Sequence, residues 1–147
     1  MLKEEILIRD AYKGDIEALT LLMDDLGYPT SQSDMEVRLK NIFAHPDYRT
    51  IVAVFNEEIV GFSGLMRGFS FERGGKYVRI IAFVVKKSIR NKGIGKQLIK
   101  ASEDWAIQQG ADNIVISSGN REERNAAHAF YQKMGYAIKS SGFFKQL

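Results

Sequence analysis

The sequence contains no cysteine, which excludes disulfides, thiolate nucleophiles and cysteine-ligated zinc. It has only two histidines, His45 and His128, and no His/Asp/Glu cluster at metal-ligand spacing, so no metal centre is expected. No apolar run approaches the roughly 20 residues that span a bilayer, so no membrane partner is expected either. The opening "MLKEEILIRD" is charged early and speaks against a signal peptide, so a cytoplasmic protein is expected. A serine nucleophile is missing as well, because "GFSGL" departs from G-x-S-x-G at its last position.

What is present suits one domain over residues 1–147. The chain is 45% hydrophobic and 27% charged, an ordinary globular composition with enough length for a real core. The net charge of +3 is modest but unevenly placed. Lys86, Lys87, Arg90, Lys92, Lys96 and Lys100 follow one another with no acid among them, a local field suited to a polyanionic partner. Nucleic acid is the less apt polyanion. The segment has no stacking aromatic, and the helix that follows has its own apolar face.

Along the chain, "EILIRDA" alternates like a strand. The next segment, "GDIEALTLLMDDLG", reads as a helix with Asp15 as N-cap, Gly27 as its end, and Ile16, Leu19, Leu22, Met23 and Leu26 on one face. After the turn "YPTSQ", Ser33 and Glu36 suggest a capping box for a second helix that His45-Pro46 terminates. "TIVAVFNEEIVGFSGLMRGF" reads as a hairpin turning at Asn56-Glu57-Glu58. A glycine-rich turn leads to "YVRIIAFVV", whose nearly continuous apolarity points to a strand covered on both faces. A helix bearing Ile94, Leu98, Ala101 and Trp105 follows, then a strand in "ADNIVISS" and a helix in "EERNAAHAFYQKMG" that stops at Gly135. The tail "YAIKSSGFFKQL" reads as two short closing strands. The expected architecture is α/β (mixed α+β), a mixed sheet of about six or seven strands with about four helices.

"SIRNKGIGKQL" sits where the buried strand becomes a helix. The first N–H groups of a helix lack intrahelical partners, the helix dipole adds positive potential there, and glycine lets a ligand reach the bare backbone. Arg90, Lys92 and Lys96 add charge suited to a pyrophosphate and a further phosphate. The glycine spacing fits neither G-x-x-x-x-G-K-[ST] nor G-x-G-x-x-G, whose third glycine is replaced by Leu98. It does fit R-x-x-G-x-G, with Arg90, Gly93 and Gly95.

With "FVVKKSIRNKGIGKQLI" and "RNAAHAFYQKMGY" in that order, the sequence resembles the GNAT superfamily of acyl-CoA-dependent N-acetyltransferases over essentially its whole length. The second stretch is similar to that family's "AH-x-FY-x-K-x-G-[FY]" helix. The resemblance implies a GNAT-type sheet whose central strand pair splays apart around Val85 and Ile116, and acetyl-CoA as co-substrate. It implies that the backbone of Arg90, Asn91, Lys92, Gly93, Ile94, Gly95 and Lys96 grips the pyrophosphate, and that Phe83, Val84 and Val85 pair with the pantetheine arm. Asn125 is the candidate to bond that arm, although the family's asparagine lies seven residues before the tyrosine, where this chain has Arg124. Tyr131 takes the place of the general acid for the departing thiolate. The implied partner is a small-molecule amine, and such domains often form homodimers.

Aminolysis of a thioester needs a neutral amine and a stabilised oxyanion, for which the N–H of Val84 or Val85 is available. No side chain offers a covalent route, so direct transfer in a ternary complex is expected. The general base is the gap. Relatives often carry a glutamate on the strand before the loop, where this chain has Ala82. Asp24, Asp25, Glu72, or a water held by Ser117 or Ser118, are the alternatives. Met23, Leu26, Tyr28, Phe69 and Phe71 are candidates for the acceptor's apolar wall. Its charge could come from the acids just named or from Arg67, Arg73 and Arg79. The missing glutamate leaves open a sensor that binds acyl-CoA without turnover, and a protein N-acetyltransferase is a further alternative.

Overall fold

Strand pairing organises the computed structural model, which describes residues 5–117 and 125–147. Five strands form one sheet in the order β1 (Ile6–Asp10), β2 (Tyr48–Phe55), β3 (Glu58–Phe69), β4 (Lys76–Val85) and β5 (Ala111–Ile116). The first four pair antiparallel. β4 and β5 pair parallel, as the intervening helix requires. The helices are α1 (Ile16–Leu26), α2 (Gln32–Ala44), α3 (Ile94–Gln108) and α4 (Asn125–Lys133). By contact density the chain falls into two units, Met1–Ser117, which holds the sheet and α1–α3, and Ser118–Leu147, which holds α4.

Adjacent residues of a strand point to opposite faces, and β3 shows which helices cover which. Phe62 joins a buried cluster with Leu19 and Leu22 of α1, Met35 and Leu39 of α2, Val52 of β2 and Val84 of β4. Its neighbour Ser63 points the other way and meets Ser102 of α3, Oγ to Oγ, at 2.9 Å. Both serines are fully buried. Ser102 donates its hydroxyl proton to the Leu98 carbonyl at 2.8 Å, so the proton between the two serines comes from Ser63. A Cβ at Gly61 would stand 2.8 Å from the Val84 carbonyl and 3.1 Å from Leu98, so glycine is what lets α3 approach this closely. Ser63 is thus a packed structural hydroxyl, in accord with the absence of a nucleophile motif.

Four local expectations shift. Asp15 does not cap α1 through its side chain. It stands at the N-cap position, as expected, but its carboxylate instead accepts the Tyr12 N–H at 3.0 Å and a bidentate pair of bonds from Arg9 at 2.8 and 3.0 Å. The cap of α2 is Ser31, whose Oγ accepts from the Asp34 N–H at 3.1 Å. The hairpin turns on Asn56 and Glu57 alone, both at positive φ, with Glu58 already paired to Phe55. The tail after α4 forms no strand among the described residues, so the sheet has five strands instead of six or seven. A strand exists by pairing, and the other described element of the tail's own unit is a helix.

Candidate active site

β4 changes its pairing midway. Ile81 is an extra residue opposite β3, since Gly64 faces Ala82 while Leu65 faces Ile80. On the other side, the register with β5 stops at Ile80 and Ile116, and the Ser117 N–H reaches back to the Ile80 carbonyl at 3.4 Å. Among the described residues, β4 therefore runs from Ile81 to Val85 with β3 as its one strand neighbour; the residues following Ser117, on which the expected splay turns, lie outside the described ones. The Lys86 N–H donates to the Val60 carbonyl at 2.7 Å, so residues in phase with it bond to β3. The peptide groups of Phe83 and Val85 then face away from β3, whereas those of Val84 face it. The Val85 carbonyl accepts there from Arg90 Nε at 3.3 Å.

Beyond Val85 comes one 3-10 turn, Lys87–Ile89, then a loop in which Asn91 and Gly93 lie at φ 68° and 82°. Left-handed backbone suits asparagine and glycine, and here it aims the chain into α3. The first intrahelical bond is donated by Gln97 to the Gly93 carbonyl at 3.1 Å, and Gly93 brings no side-chain cap. The N–H groups of Ile94, Gly95 and Lys96 precede it and point out of the helix mouth. Of the six cations, Lys86 pairs with Glu58 and Lys100 with Asp104 at 3.2 Å. Lys87, Arg90, Lys92 and Lys96 have no acidic partner among the described residues. The Lys87 N–H donates to Asp25 Oδ2 at 2.9 Å, tying the last turn of α1 to this loop.

On the α1/α2 face a pocket of about 140 Å³ opens against β4, reaching Gly64, Ile81 and Ala82. Its walls are mostly apolar: Leu19 and Met23 of α1, Met35, Leu39 and Ile42 of α2, and Phe62 of β3. Arg38, Tyr48 and Thr50 also line it, almost wholly through carbon, and among the described residues it has no carboxylate and no imidazole. Of the expected wall residues, Met23 is present. Leu26 packs beside the core cluster. Tyr28, Phe69 and Phe71 are exposed and lie elsewhere.

The candidate bases are dispersed. Asp25 is engaged by the Lys87 N–H. Glu72, in the exposed turn before β4, is held below the usual carboxylate range, chiefly by the hydrogen bond from Ser70 Oγ at 2.7 Å, which makes it a weaker base. Asp24 and Ser117 do not line the pocket, and Ser118 and Arg124 lie outside the described residues. Arg67 pairs with Asp47 at 2.9 Å, and Arg73 stands 3.9 Å from Asp112. Neither lines the pocket, nor does Arg79. Sequence reasoning missed Arg38, Tyr48 and Thr50. The available signal for Arg38 was its spacing, three residues after Met35 and four before Ile42 on one helical stripe.

In the second unit, Asn125 opens α4 and Tyr131 lies in its second turn, its ring edge-on to that of Phe130 with centroids 5.9 Å apart. The Tyr131 carbonyl accepts from Met134 and Tyr136, closing the helix before left-handed Gly135.

Comparison with known proteins gives one consistent result. The profile of the Acetyltransferase (GNAT) family matches residues 16–136. An aminoalkylphosphonate N-acetyltransferase of Salmonella typhimurium is 31% identical over 127 residues, 86% of this chain and 79% of that protein. A crystal structure of a GNAT family acetyltransferase from Staphylococcus aureus superposes with a TM-score of 0.81 at 37% identity, covering 97% of this chain and 98% of the other. An aminoglycoside N-acetyltransferase in complex with CoA shares the fold, with a TM-score of 0.85 at 17% identity over 99% and 97% of the two chains.

Proposed function

This chain belongs to the GNAT acetyltransferase family, and on that premise we propose that it moves the acetyl group of acetyl-CoA directly onto the primary amine of a small molecule, in a ternary complex. The observation that carries this reading is the mouth of α3, where three outward N–H groups meet four cations without acidic partners among the described residues, at the end of a strand whose Phe83 and Val85 peptide groups face away from β3. Such a site fits a diphosphate. The likeness to a fold that holds CoA supports the same ligand. The family profile spans both units, which supports reading the chain as one acetyltransferase domain.

When bound, acetyl-CoA supplies the activated acyl group. The amides of Arg90 through Lys96 hold its diphosphate, and Arg90, Lys92 and Lys96 add charge. The peptide groups of Phe83 and Val85 align the pantetheine arm along β4. Of the two amides suited to the oxyanion, that of Val85 faces the open side. The amine nitrogen bonds to the carbonyl carbon as the C–S bond breaks, yielding an amide and CoA thiol. Tyr131 is the proposed donor of the proton that the thiolate takes up, on the strength of its place in the α4 motif. Asn125 is the proposed contact to the arm on the same ground. Small-molecule specificity is supported by the size of the pocket and by the aminoalkylphosphonate relative.

Among the described residues the pocket has no side-chain base, and in this reading the amine reacts after losing its proton to water. The acidic limb of kcat/KM should then follow the pKa of the acceptor and move with it across a series of amines. A limb fixed at one pH for every amine would reveal a protein base and refute this step. The same missing base favours a second reading, a sensor that binds acyl-CoA without turnover. Initial rates of CoA thiol release with two varied substrates separate the readings. Intersecting double-reciprocal lines support direct transfer, parallel lines contradict it, and binding without release across amines supports the sensor.

A further inference from the structure

We propose that the acceptor is a small primary amine bearing an anionic group, carboxylate or phosphonate, at the far end of a short apolar body, and that Arg38 recognises the anion. The proposal rests on the acetyl-transfer reading above and specifies its substrate. Among the described residues, Arg38 is the only charged one lining the pocket. An acceptor with several ammonium groups would meet this cation and no carboxylate to offset it, an arrangement that rejects polycations.

The guanidinium of Arg38 is also uncommitted. It has no ion pair or hydrogen bond among the described residues. This is so even though Asp34, one helical turn earlier, occupies the usual position of an intrahelical partner. Arginine presents a planar fork of donors that matches a carboxylate or phosphonate in two parallel bonds. The walls below it, including Met23, Met35 and Phe62, are apolar down to Ala82 at β4. A cavity of about 140 Å³ is close to the size that holds a benzene-sized body. Arg38 therefore meets the apolar lining through its stem and, being an exposed residue, holds its charge in solvent, where the outer end of an acceptor can meet it.

The test measures CoA release with matched pairs: β-alanine and γ-aminobutyrate against their amides, an aminoalkylphosphonate against its diethyl ester, and kanamycin as a polycation. The anionic member of a pair should exceed its neutral partner in kcat/KM by about tenfold, the scale of a charge-assisted bidentate contact. Arg38→Ala should collapse that ratio towards one, Arg38→Glu should invert it, and Arg38→Lys should keep part of it. The carboxylate and phosphonate arms identify which anion is read. Preference for the amides or for kanamycin, or an equal fall for both members of each pair in Arg38→Ala, would overturn the proposal. If no amine is turned over, the same pairs are titrated by calorimetry into CoA-saturated protein, where absence of an Arg38-dependent preference overturns it equally. Titration of acetyl-CoA alone judges the donor reading separately.

Discussion

The mouth of α3 and the pocket under α1 and α2 lie in the same unit and are built by opposite means. The first is made of backbone: outward amides, left-handed Asn91 and Gly93, and cations strung along one short stretch of sequence. The second is made of side chains from α1, α2, β2, β3 and β4, almost all apolar, with one unpaired cation among its lining. Their supports differ too. α3 is held to the sheet by the neutral Ser63–Ser102 hydroxyl pair. The approach to α1 is held by the charged Arg9–Asp15 pair, with Asp15 only 4% exposed. A site that recognises an invariant diphosphate can rely on peptide geometry, whereas one that selects among acceptors depends on replaceable side chains.

The contrast can be broken most forcefully at the step both regions share. Tyr131→Phe should lower kcat by about 100-fold while leaving acetyl-CoA affinity in place, because a positioned acid acts on the leaving thiolate and not on cofactor binding. An unchanged rate with chemistry limiting would remove Tyr131 from the mechanism.

The two supports should respond differently to acid. Burial works to raise the Asp15 pKa, but the hydrogen bonds from Arg9 and the Tyr12 N–H, with the charge of Arg9, outweigh it and hold the carboxyl below its ordinary value. A depressed folded-state pKa means that the unfolded chain takes up the proton first. Its stabilisation is present above the ordinary carboxylate range, near pH 4, and is lost as pH falls through the folded value. Asp15→Ala should destabilise the protein by about 2 kcal/mol at neutral pH, and the difference from wild type should shrink below about pH 4. A deficit that stays constant down to low pH would show that the ion pair is not the anchor.

Ser102→Ala should cost less, about 1 kcal/mol, by leaving the buried Ser63 hydroxyl without its acceptor. Adding Ser63→Ala should recover part of that loss, and neither variant should show the acid dependence of Asp15→Ala. Additive losses in denaturant unfolding would show that the hydroxyls do not act as a pair.

The same contrast explains what could be read from the sequence. The α3 mouth was legible because its glycine spacing and local charge all lie between Val85 and Gln97. The splay near Val85 and Ile116 came with the family resemblance and turns on residues outside the described ones, and the Ile81 bulge leaves no mark in an apolar run. The pocket was not legible. Arg38 is an unremarkable exposed arginine until α2 packs over β2 and β3, and Tyr28, Phe69 and Phe71 resembled wall residues only by hydrophobicity. The closing strands were misjudged because apolar residues in the tail suggest a strand but do not supply its partner. The cap of α2 moved from Ser33 to Ser31 because neighbouring serines compete for the role, and at α1 Asp15 keeps the N-cap position while its carboxylate is taken by Arg9 and the Tyr12 N–H.

The central claim is that the amides and cations at the α3 mouth hold the diphosphate of acetyl-CoA. Calorimetric titration of acetyl-CoA into the wild-type protein and into Arg90→Ala/Lys92→Ala/Lys96→Ala, at low and high salt, tests it most directly. The account predicts saturable binding at moderate salt that weakens as salt rises, a loss of about tenfold or more in the triple variant, and a shallower salt dependence there. Absence of binding by the wild-type protein, or equal affinity in both proteins at every salt concentration, would contradict it.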